Sequence, residues 1–352
     1  GPSCVSDSVY QALAKPTLGH LDPEFISLMD KIKDYLRELM CTENKLTVPV
    51  SGTGSAGMET CFVNLIEPRD KVLILINGVF GTRMEDVASR LGADVDSLNF
   101  EWGTVVDLNL VKEKLDETKY DLVAVVHAET STGVCNPIEE IGKFVQQNGA
   151  LYLVDCVTSL GGIEVKMDDW HIDALYSGTQ KCLSCPPGLA PVSFSNRALE
   201  KLNNRKSKVP NWYLDLSMIT QYWSGQTRVY HHTAPINMLY GLYQACYNIL
   251  DEGLDIVIQR HQNMHDLLVS ELKSIGLGLF VKENDRLPML NSIIIPDGVQ
   301  DVEVRSKLLN EYQIEIGGGL GPLTGKIWRI GLMGETAKKE SIQKLMDAFN
   351  EI

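Results

Sequence analysis

Short apolar runs alternate with helix-like stretches in the first half of the chain, and this alternation restricts the possible folds more than any other feature. The runs have the length of buried strands, and they are KLTVPV (45–50), KVLILI (71–76), DLVAVV (121–126), LYLVD (151–155), ALYS (174–177) and APVSF (190–194). Helix-like stretches lie at 23–41, 84–92 and 138–149. Strands without a polar face must be covered on both sides. The pattern therefore predicts an α/β fold with a mostly parallel sheet covered by helices.

The last third of the chain has a different pattern, in which two long helical stretches come first. The predicted order is helix, helix, strand, helix, strand and helix, at 236–253, 254–276, 290–296, 301–312, 326–333 and 338–352. We therefore predict two domains. A large domain over 1–253 includes the N-terminal segment and the connecting helix, and a smaller C-terminal α/β domain covers 254–352.

The composition excludes several classes of partner. The 352 residues carry a formal net charge of −14, which argues against a nucleic acid because phosphate backbones bind basic surfaces. No apolar run approaches the roughly 18 residues that a membrane span needs. Eight cysteines without framework spacing predict free thiols in a reducing compartment. Since the N-terminus shows no signal-peptide pattern, we expect a cytoplasmic protein, with the peroxisome or mitochondrion as alternatives in a eukaryote.

The stretch VSGTGSAGMET (50–60) places a turn of small residues between a predicted strand and a predicted helix. Free N–H groups at a helix start, together with the helix dipole, form a binding site for a phosphate group. The hydroxyls of Thr53 and Ser55 add possible hydrogen bonds. An ordinary small-residue turn is the alternative when this stretch is considered alone.

Two charged side chains follow neighbouring strands. Asp155 ends the run LYLVD, and Lys181 follows the next strand, so both should emerge at the edge of the sheet where open α/β folds bind ligands. A partly desolvated lysine is a nucleophile for aldehydes, whereas an aspartate considered alone could simply cap a helix. Pyridoxal phosphate needs a phosphate cradle, a carboxylate for its ring nitrogen and an amine for its aldehyde. The three features together predict this cofactor.

Other pairs of side chains resemble metal ligands without completing a set. His261 and His265 have the i, i+4 spacing of a zinc helix in HQNMH but lack its glutamate, so we expect them on a helix surface. Cys182 and Cys185 form one C-x-x-C without a second pair of ligands, and the histidines at 231–232 have no ligand nearby in sequence. We therefore predict no metal site.

Motifs along nearly the whole chain resemble those of the class V aminotransferases of fold type I, specifically the alanine–glyoxylate/serine–pyruvate aminotransferases. They are SGTGSAGMET, NGVFGTR, HAETSTGV, VDCVTSLGG, YSGTQKCLSCPPGL, YHHTAPI and GGLGPLTGKIWRIGLMG. The resemblance implies that Lys181 forms the Schiff base with pyridoxal phosphate and that Asp155 pairs with the pyridine nitrogen. It implies that Val157 packs under the ring and that Phe80, where relatives often have Trp, stacks on it. Thr130 takes the place of a hydroxyl near the cofactor.

The same resemblance implies how the phosphate group is bound. Gly54, Ser55 and Gln180 would contact it, although relatives can have His at the position of Ser55. Tyr230 and Thr233 of the partner subunit would join them, because members of the family form homodimers with shared active sites.

The resemblance also implies the substrates, which are a small amino acid and a keto acid. Arg329 would bind the substrate carboxylate, with the backbone of Gly19 close by. An arginine inside an apolar strand needs an anionic partner in any case. The implied reaction transfers the amino group of L-alanine or L-serine to glyoxylate, and the sequence does not decide between these donors. The alternatives are ureidoglycine–glyoxylate or 2-aminoethylphosphonate–pyruvate transamination, a cysteine desulfurase and a non-enzymatic binding module.

Overall fold

The computed structural model describes residues 2–224 and 228–352, and within them helices alternate with strands along most of the chain. The helices are α1 (Asp7–Leu13), α2 (Pro23–Met40), α3 (Gly54–Leu65), α4 (Val79–Arg90), α5 (Leu108–Glu117), α6 (Ile138–Asn148), α7 (Asn196–Asn203), α8 (Leu216–Trp223), α9 (Ile236–Glu252), α10 (Leu254–Ser274), α11 (Asp301–Tyr312) and α12 (Lys339–Glu351). The strands are β1 (Leu46–Ser51), β2 (Lys71–Ile76), β3 (Asp94–Asn99), β4 (Leu122–Val126), β5 (Ala128–Glu129), β6 (Val134–Cys135), β7 (Leu151–Asp155), β8 (Ala174–Tyr176), β9 (Leu189–Phe194), β10 (Leu290–Ile294), β11 (Gly317–Gly318) and β12 (Ile327–Gly331).

A seven-stranded sheet has the strand order β1-β9-β8-β7-β4-β2-β3. Strand β9 runs antiparallel to both of its neighbours, whereas the other neighbouring pairs are parallel. Helices α2, α3, α4 and α6 pack against its strands. The predicted α/β fold with a mostly parallel, helix-covered sheet is therefore confirmed, and all six apolar runs form strands of this sheet.

Strand β3 was not predicted, and its composition explains why. Its sequence DVDSLN has two aspartates and a serine, and its residues are exposed or only partly buried. It lies at the edge of the sheet and pairs with β2 in parallel, from Lys71 opposite Asp94 to Ile76 opposite Asn99. An edge strand with solvent access does not need the apolar run by which a buried strand is found.

The C-terminal part contains an antiparallel sheet in the order β10-β12-β11. Its buried side chains form a cluster of their own that includes Leu268, Ile293, Trp328 and Leu345. A larger cluster covers the seven-stranded sheet and the helices before α10, together with Val257 in the first turn of α10. The division of the chain at residue 253 is compatible with these clusters and stays a prediction.

The expectation that the HQNMH histidines lie on a helix surface is wrong. His261 and His265 are buried, because α10 packs against α9 and α12. His261 Nε2 accepts a hydrogen bond from the N–H of Gly334 at 2.9 Å, and His265 Nδ1 lies 2.6 Å from Asn291 Oδ1. Both rings therefore join α10 to the C-terminal sheet region. In the described part of the chain no helix has the length and apolar character needed to cross a membrane.

Candidate active site

The carboxyl ends of β4, β7 and β8 and the start of α3 surround a cavity of about 160 Å³. Parallel strands end at the same edge of a sheet, so residues that are distant in sequence meet there. The cavity is lined by Gly54, Ser55, Met58, Phe80, Arg83, Val126, Ala128, Thr130, Asp155, Val157, Thr158, Tyr176, Gln180 and Lys181.

Most of the site residues that were predicted from the sequence line this cavity. They are Gly54, Ser55, Phe80, Thr130, Asp155, Val157, Gln180 and Lys181. The others lie elsewhere. Thr53 precedes the first residue of α3, Gly19 lies in an exposed segment before α2, Arg329 lies on β12, and Tyr230 and Thr233 lie before α9.

Asp155 ends β7 and is held by two hydrogen bonds. The phenol of Tyr176 donates to Oδ2 at 2.6 Å, and the N–H of Val157 donates to Oδ1 at 2.8 Å. Burial raises the pKa of the carboxyl to about 6, against the effect of these two donors. Asp155 is therefore an oriented carboxylate that a cationic ligand group would stabilise.

Lys181 begins a tight turn after β8. Its carbonyl oxygen accepts hydrogen bonds from the N–H of Ser184 at 3.0 Å and from the hydroxyl of Ser3 at 2.7 Å. Thr179 Oγ1 donates across the turn to the carbonyl of Pro186 at 2.7 Å. Burial lowers the pKa of the Lys181 amine, which increases the fraction of the neutral, nucleophilic form. The turn thus holds the Lys181 amine at the cavity wall.

Helix α3 starts at the cavity with little space around its first residue. A Cβ added at Gly54 would lie 3.1 Å from Val157 Cγ2, and a Cβ added at Gly178 would lie 2.9 Å from Gln180 Oε1. The N–H groups of Gly54 and Ser55 have no acceptor among the described residues, as expected in the first turn of a helix, whereas the N–H of Ala56 donates to the carbonyl of Thr53 at 2.7 Å. These groups and the positive end of the helix dipole can bind an anion.

Phe80 is partly buried in the first turn of α4 and lies on the cavity wall. The guanidinium of Arg83 lies 5.1 Å from the centre of its ring, within the range of a cation–π contact. Val157 lies on the wall as well, so apolar surface is available to a flat ring from both α4 and the segment after β7.

The guanidinium of Arg329 donates to backbone carbonyls, one of which belongs to the cavity-lining residue Thr130. Its Nη1 donates to the carbonyl of Thr130 at 3.1 Å, and its Nε donates to the carbonyl of Gly318 at 2.8 Å. Burial lowers the pKa of the guanidinium. Among the described residues no carboxylate forms a salt bridge with Arg329, and the anionic partner expected from its apolar strand stays a prediction.

Tyr230 and Thr233 are exposed, and their hydroxyl oxygens lie 3.1 Å apart. His231 and His232 lie between these two residues in the sequence. His231 Nε2 donates to the carbonyl of Trp212 at 3.2 Å. When both rings are neutral, His231 Nδ1 therefore accepts from His232 Nδ1 at 2.8 Å. His232 Nε2 then accepts from the hydroxyl of Ser51 at 2.8 Å. This chain ties the segment with Tyr230 and Thr233 to the end of β1.

Sequence reasoning did not find the neighbouring acid Glu129 or six residues of the cavity wall, which are Met58, Arg83, Val126, Ala128, Thr158 and Tyr176. Tyr176 lies opposite Asp155 in the register of β7 and β8, a signal that appears once the parallel pairing is assumed. Arg83 lies one helical turn after Phe80. Glu129 lies beside Thr130 in the motif HAETSTGV, and it is wholly buried. A search for apolar runs does not detect a buried acid.

Comparison with known proteins agrees with this fold. The chain matches the family model for class V aminotransferases over residues 7–339. It is 38% identical to alanine–glyoxylate aminotransferase of Drosophila melanogaster, over 100% of this chain and 90% of that protein. It is 39% identical to (S)-ureidoglycine–glyoxylate transaminase of Bacillus subtilis strain 168, over 97% and 86% of the two chains.

A solved structure is similar to this chain in its three-dimensional fold as well. Alanine–glyoxylate aminotransferase from Nostoc sp. superposes with a TM-score of 0.98 at 48% identity, covering 100% of this chain and 93% of that chain. The chain belongs to the class V aminotransferase family, and it is an enzyme of that class. The resemblance drawn from its motifs is confirmed.

Proposed function

We propose that this enzyme is a pyridoxal phosphate-dependent transaminase that moves the amino group of L-alanine or L-serine to glyoxylate. The products are glycine and either pyruvate or hydroxypyruvate. The observation that carries the proposal is the meeting of Lys181, Asp155 and the start of α3 around one cavity. The relatives from Drosophila and Nostoc, both named for alanine and glyoxylate, support the choice of substrates.

The residues around the cavity fit the cofactor. The start of α3 suits a phosphate group, Asp155 suits a cationic ring nitrogen, and Lys181 suits an aldehyde. The side-chain oxygen of Gln180 is buried and has no hydrogen-bond partner among the described residues, so its amide has bonding capacity left for a ligand. Phe80 and Val157 offer apolar surface to a flat ring.

Lys181, Asp155 and Arg329 have different roles in the proposed reaction. When bound, pyridoxal phosphate supplies an electron sink for the substrate Cα–H bond and carries the amino group between the two substrates. Lys181 Nζ takes the proton from the substrate Cα, because its lowered pKa makes a neutral amine available. Asp155 keeps a positive charge at the ring nitrogen. Arg329 binds the substrate carboxylate through Nη2, since Nε and Nη1 already donate to backbone carbonyls.

We also propose a homodimer in which Tyr230 and Thr233 complete the phosphate site of the other subunit. Their exposed hydroxyls and the histidine chain that holds their segment support this arrangement. Gly19, in an exposed segment, is proposed to place its backbone near the substrate carboxylate.

A second candidate is (S)-ureidoglycine–glyoxylate transamination. It is favoured by the Bacillus relative, which is 39% identical to this chain and carries that name. Both candidates use glyoxylate as acceptor and differ in the amino donor. Their donors differ in volume and in hydrogen-bonding groups, so relative kcat/KM values separate them.

The purified enzyme, loaded with pyridoxal phosphate, tests the proposal when it is given glyoxylate with L-alanine, L-serine or (S)-ureidoglycine. We expect glycine to form with L-alanine or L-serine at the highest kcat/KM, measured by chromatography of the products. A highest value with (S)-ureidoglycine would select the second candidate, and no glycine from any donor would reject both.

The role of Lys181 has a separate chemical test. Borohydride reduction of the loaded enzyme should attach the cofactor to the peptide that contains Lys181, as seen by mass spectrometry. Lys181→Arg should remove the attachment and lower kcat by roughly 1,000-fold or more, because a guanidinium neither attacks an aldehyde nor carries the proton. Lys143→Arg, an exposed control paired with Glu139, should leave both unchanged. Attachment at another lysine would contradict the assignment.

A further inference from the structure

Glu129 is a buried acid that hydrogen bonds hold in place. It is 0% exposed, and among the described residues no Lys, Arg or His forms a salt bridge with it. An isolated buried carboxylate is costly unless hydrogen bonds compensate it. Its Oε1 accepts from the hydroxyl and the N–H of Ser131, at 2.5 and 3.1 Å, and its Oε2 accepts from the N–H of Phe80 at 3.2 Å. Three hydrogen bonds therefore compensate the burial of this carboxylate.

The hydrogen bonds of Glu129 complete the start of α4. Gly78, at the N-cap position, has no side chain with which to cap the helix. The N–H of Val79 donates instead to Ser131 Oγ at 3.0 Å, while the N–H of Phe80 donates to Glu129. Residues 129–131, which we call the capping turn, thus bind N–H groups that the first turn of α4 would leave unpaired.

The residue before α4, Gly78, has no space for a side chain. A Cβ at Gly78 would lie 2.3 Å from Glu129 Cδ and 2.5 Å from Ser131 Oγ, far inside contact distance. Its backbone φ of 179° is open to any residue, so the restriction comes from the capping turn alone. The capping turn and Gly78 therefore form one fitted unit.

The same capping turn reaches the cavity and Arg329. Thr130, its middle residue, lines the cavity, and the Thr130 carbonyl accepts from Arg329 Nη1 at 3.1 Å. The carbonyl of Glu129 accepts from the N–H of Gly133 at 2.9 Å, which closes the turn. Burial raises the pKa of Glu129 to about 7.

We propose that Glu129 is a positioning residue that sets Phe80 and Arg329 relative to each other through the capping turn. This inference rests on the proposed function, in which Phe80 faces the cofactor ring and Arg329 binds the substrate carboxylate. One buried acid then places both the ring-facing side chain and the carboxylate-binding side chain. It acts through its neighbours and does not touch the substrate.

The test compares Glu129→Gln with a matched control in cofactor-loaded enzyme. A glutamine directs an NH₂ group at donors that need an acceptor, so we expect the dissociation constant of pyridoxal phosphate and the KM of the amino donor to rise by about five- to tenfold each. The visible circular dichroism of the bound cofactor should change too. Ser131→Ala should act in the same direction.

Asp173→Asn is the control, because Asp173 is also a buried acid that accepts from a backbone N–H, that of Tyr152 at 3.0 Å, and from a hydroxyl, that of Ser195 at 2.7 Å. It is absent from the cavity wall. This variant should lower the melting temperature and leave the cofactor dissociation constant, the KM and the circular dichroism unchanged. If Glu129→Gln behaves in the same way as Asp173→Asn, Glu129 is a structural cap only and the inference is wrong.

Amide hydrogen exchange of the cofactor-free protein separates this inference from the proposed function. Glu129→Gln should speed exchange at Val79 and Phe80, and Asp173→Asn should not. Unchanged exchange in Glu129→Gln would reject the positioning role of Glu129. A wild-type enzyme that binds no pyridoxal phosphate would reject the proposed function, and the exchange result would still decide whether Glu129 positions Phe80.

Discussion

Burial favours the neutral form of both Lys181 and Asp155, which face the same cavity. It lowers the pKa of the Lys181 amine and raises the pKa of the Asp155 carboxyl to about 6. A neutral amine can attack an aldehyde or accept a proton, whereas a cation placed beside Asp155 would lower its pKa again. The two residues therefore suit a ligand with an aldehyde and a cationic nitrogen.

At the same scale, the guanidinium of Arg329 is oriented by backbone carbonyls instead of a carboxylate. We predict that Arg329→Lys lowers kcat/KM for the amino donor by roughly 30-fold. An ammonium group loses the planar two-pronged contact with a carboxylate, worth about 2 kcal/mol for hydrogen bonds to a charged group. Steady-state kinetics at fixed glyoxylate measures the change.

Arg197→Lys is the matched control for Arg329→Lys. Arg197 also donates to backbone carbonyls, those of Gly149 and Ala150, at 3.0 Å each. It lies away from the cavity wall, so its substitution should leave kcat/KM unchanged while it lowers stability slightly. An equal loss of kcat/KM in both variants would mean that Arg329 acts through stability and not through substrate binding.

At the scale of elements, α3 lies close against the sheet because small residues face the strands. A Cβ at Gly57 would lie 3.0 Å from Ala190 Cβ and 3.1 Å from Tyr176 Cβ, tighter than ordinary contacts. Both neighbours belong to β8 and β9, so they cannot move without moving the sheet. This close approach fixes the position of the start of α3 at the cavity wall.

We predict that Gly57→Ala weakens both stability and cofactor binding. Overpacking of this kind costs about 1–3 kcal/mol, and any shift of α3 displaces the proposed phosphate site. The melting temperature of the cofactor-free protein and the dissociation constant of pyridoxal phosphate are the measurements. Gly278→Ala serves as the control, since no atom lies within 4 Å of a Cβ added there. A Gly57→Ala variant as stable as this control would contradict the packing argument.

For the whole molecule, the buried acid Asp155 links stability to pH. Its pKa is raised from 3.8 to about 6 in the folded protein, so the folded state binds its proton more tightly than the unfolded state. The stability that this proton gives is complete below about 3.8 and is lost as pH rises through about 6. A shift of about two pKa units corresponds to about 3 kcal/mol.

Buried histidines with lowered pKa values make stability rise with pH, which is opposite to the effect of Asp155. The prediction therefore concerns the difference in stability between the wild type and a variant of Asp155. Burial lowers the pKa of His127 to about 3 and that of His261 to about 4, and these groups stabilise the fold as pH rises. We predict that the free energy of unfolding of the cofactor-free wild type, minus that of Asp155→Asn, falls between pH 4 and pH 7. Denaturation curves across this range provide the values. A flat difference would show that the pKa of Asp155 is not raised.

The proposed sharing of active sites is also a property of the whole assembly. We predict that Lys181→Ala and the double variant Tyr230→Phe/Thr233→Val, each weak alone, regain activity when they form mixed dimers. One site of the mixed dimer then combines a normal Lys181 with normal hydroxyls from the other subunit. Refolding the variants together and comparing activity with each variant refolded alone tests this. No recovery would indicate that these hydroxyls serve their own subunit or none.

Much of the fold and of the site could be predicted, because the signals are local. Buried strands are continuous apolar runs, so β1, β2, β4, β7, β8 and β9 were found, and the shared carboxyl edge of the parallel strands placed Asp155 and Lys181 together. The same reasoning missed β3, whose edge position tolerates aspartates. It also put His261 and His265 on a surface, because spacing along one helix does not say which neighbours cover it.

Local sequence pattern thus determines the order of strands and helices and the kinds of side chain at the strand ends. Tertiary structure alone decides their contacts. Tyr176 reaches Asp155 across 21 residues, Phe80 reaches Glu129 across 49, and Arg329 reaches Thr130 across 199. Each contact depends on how two elements pack and on where their side chains then point. The period of a pattern fixes which face a residue lies on, whereas only packing brings two faces together.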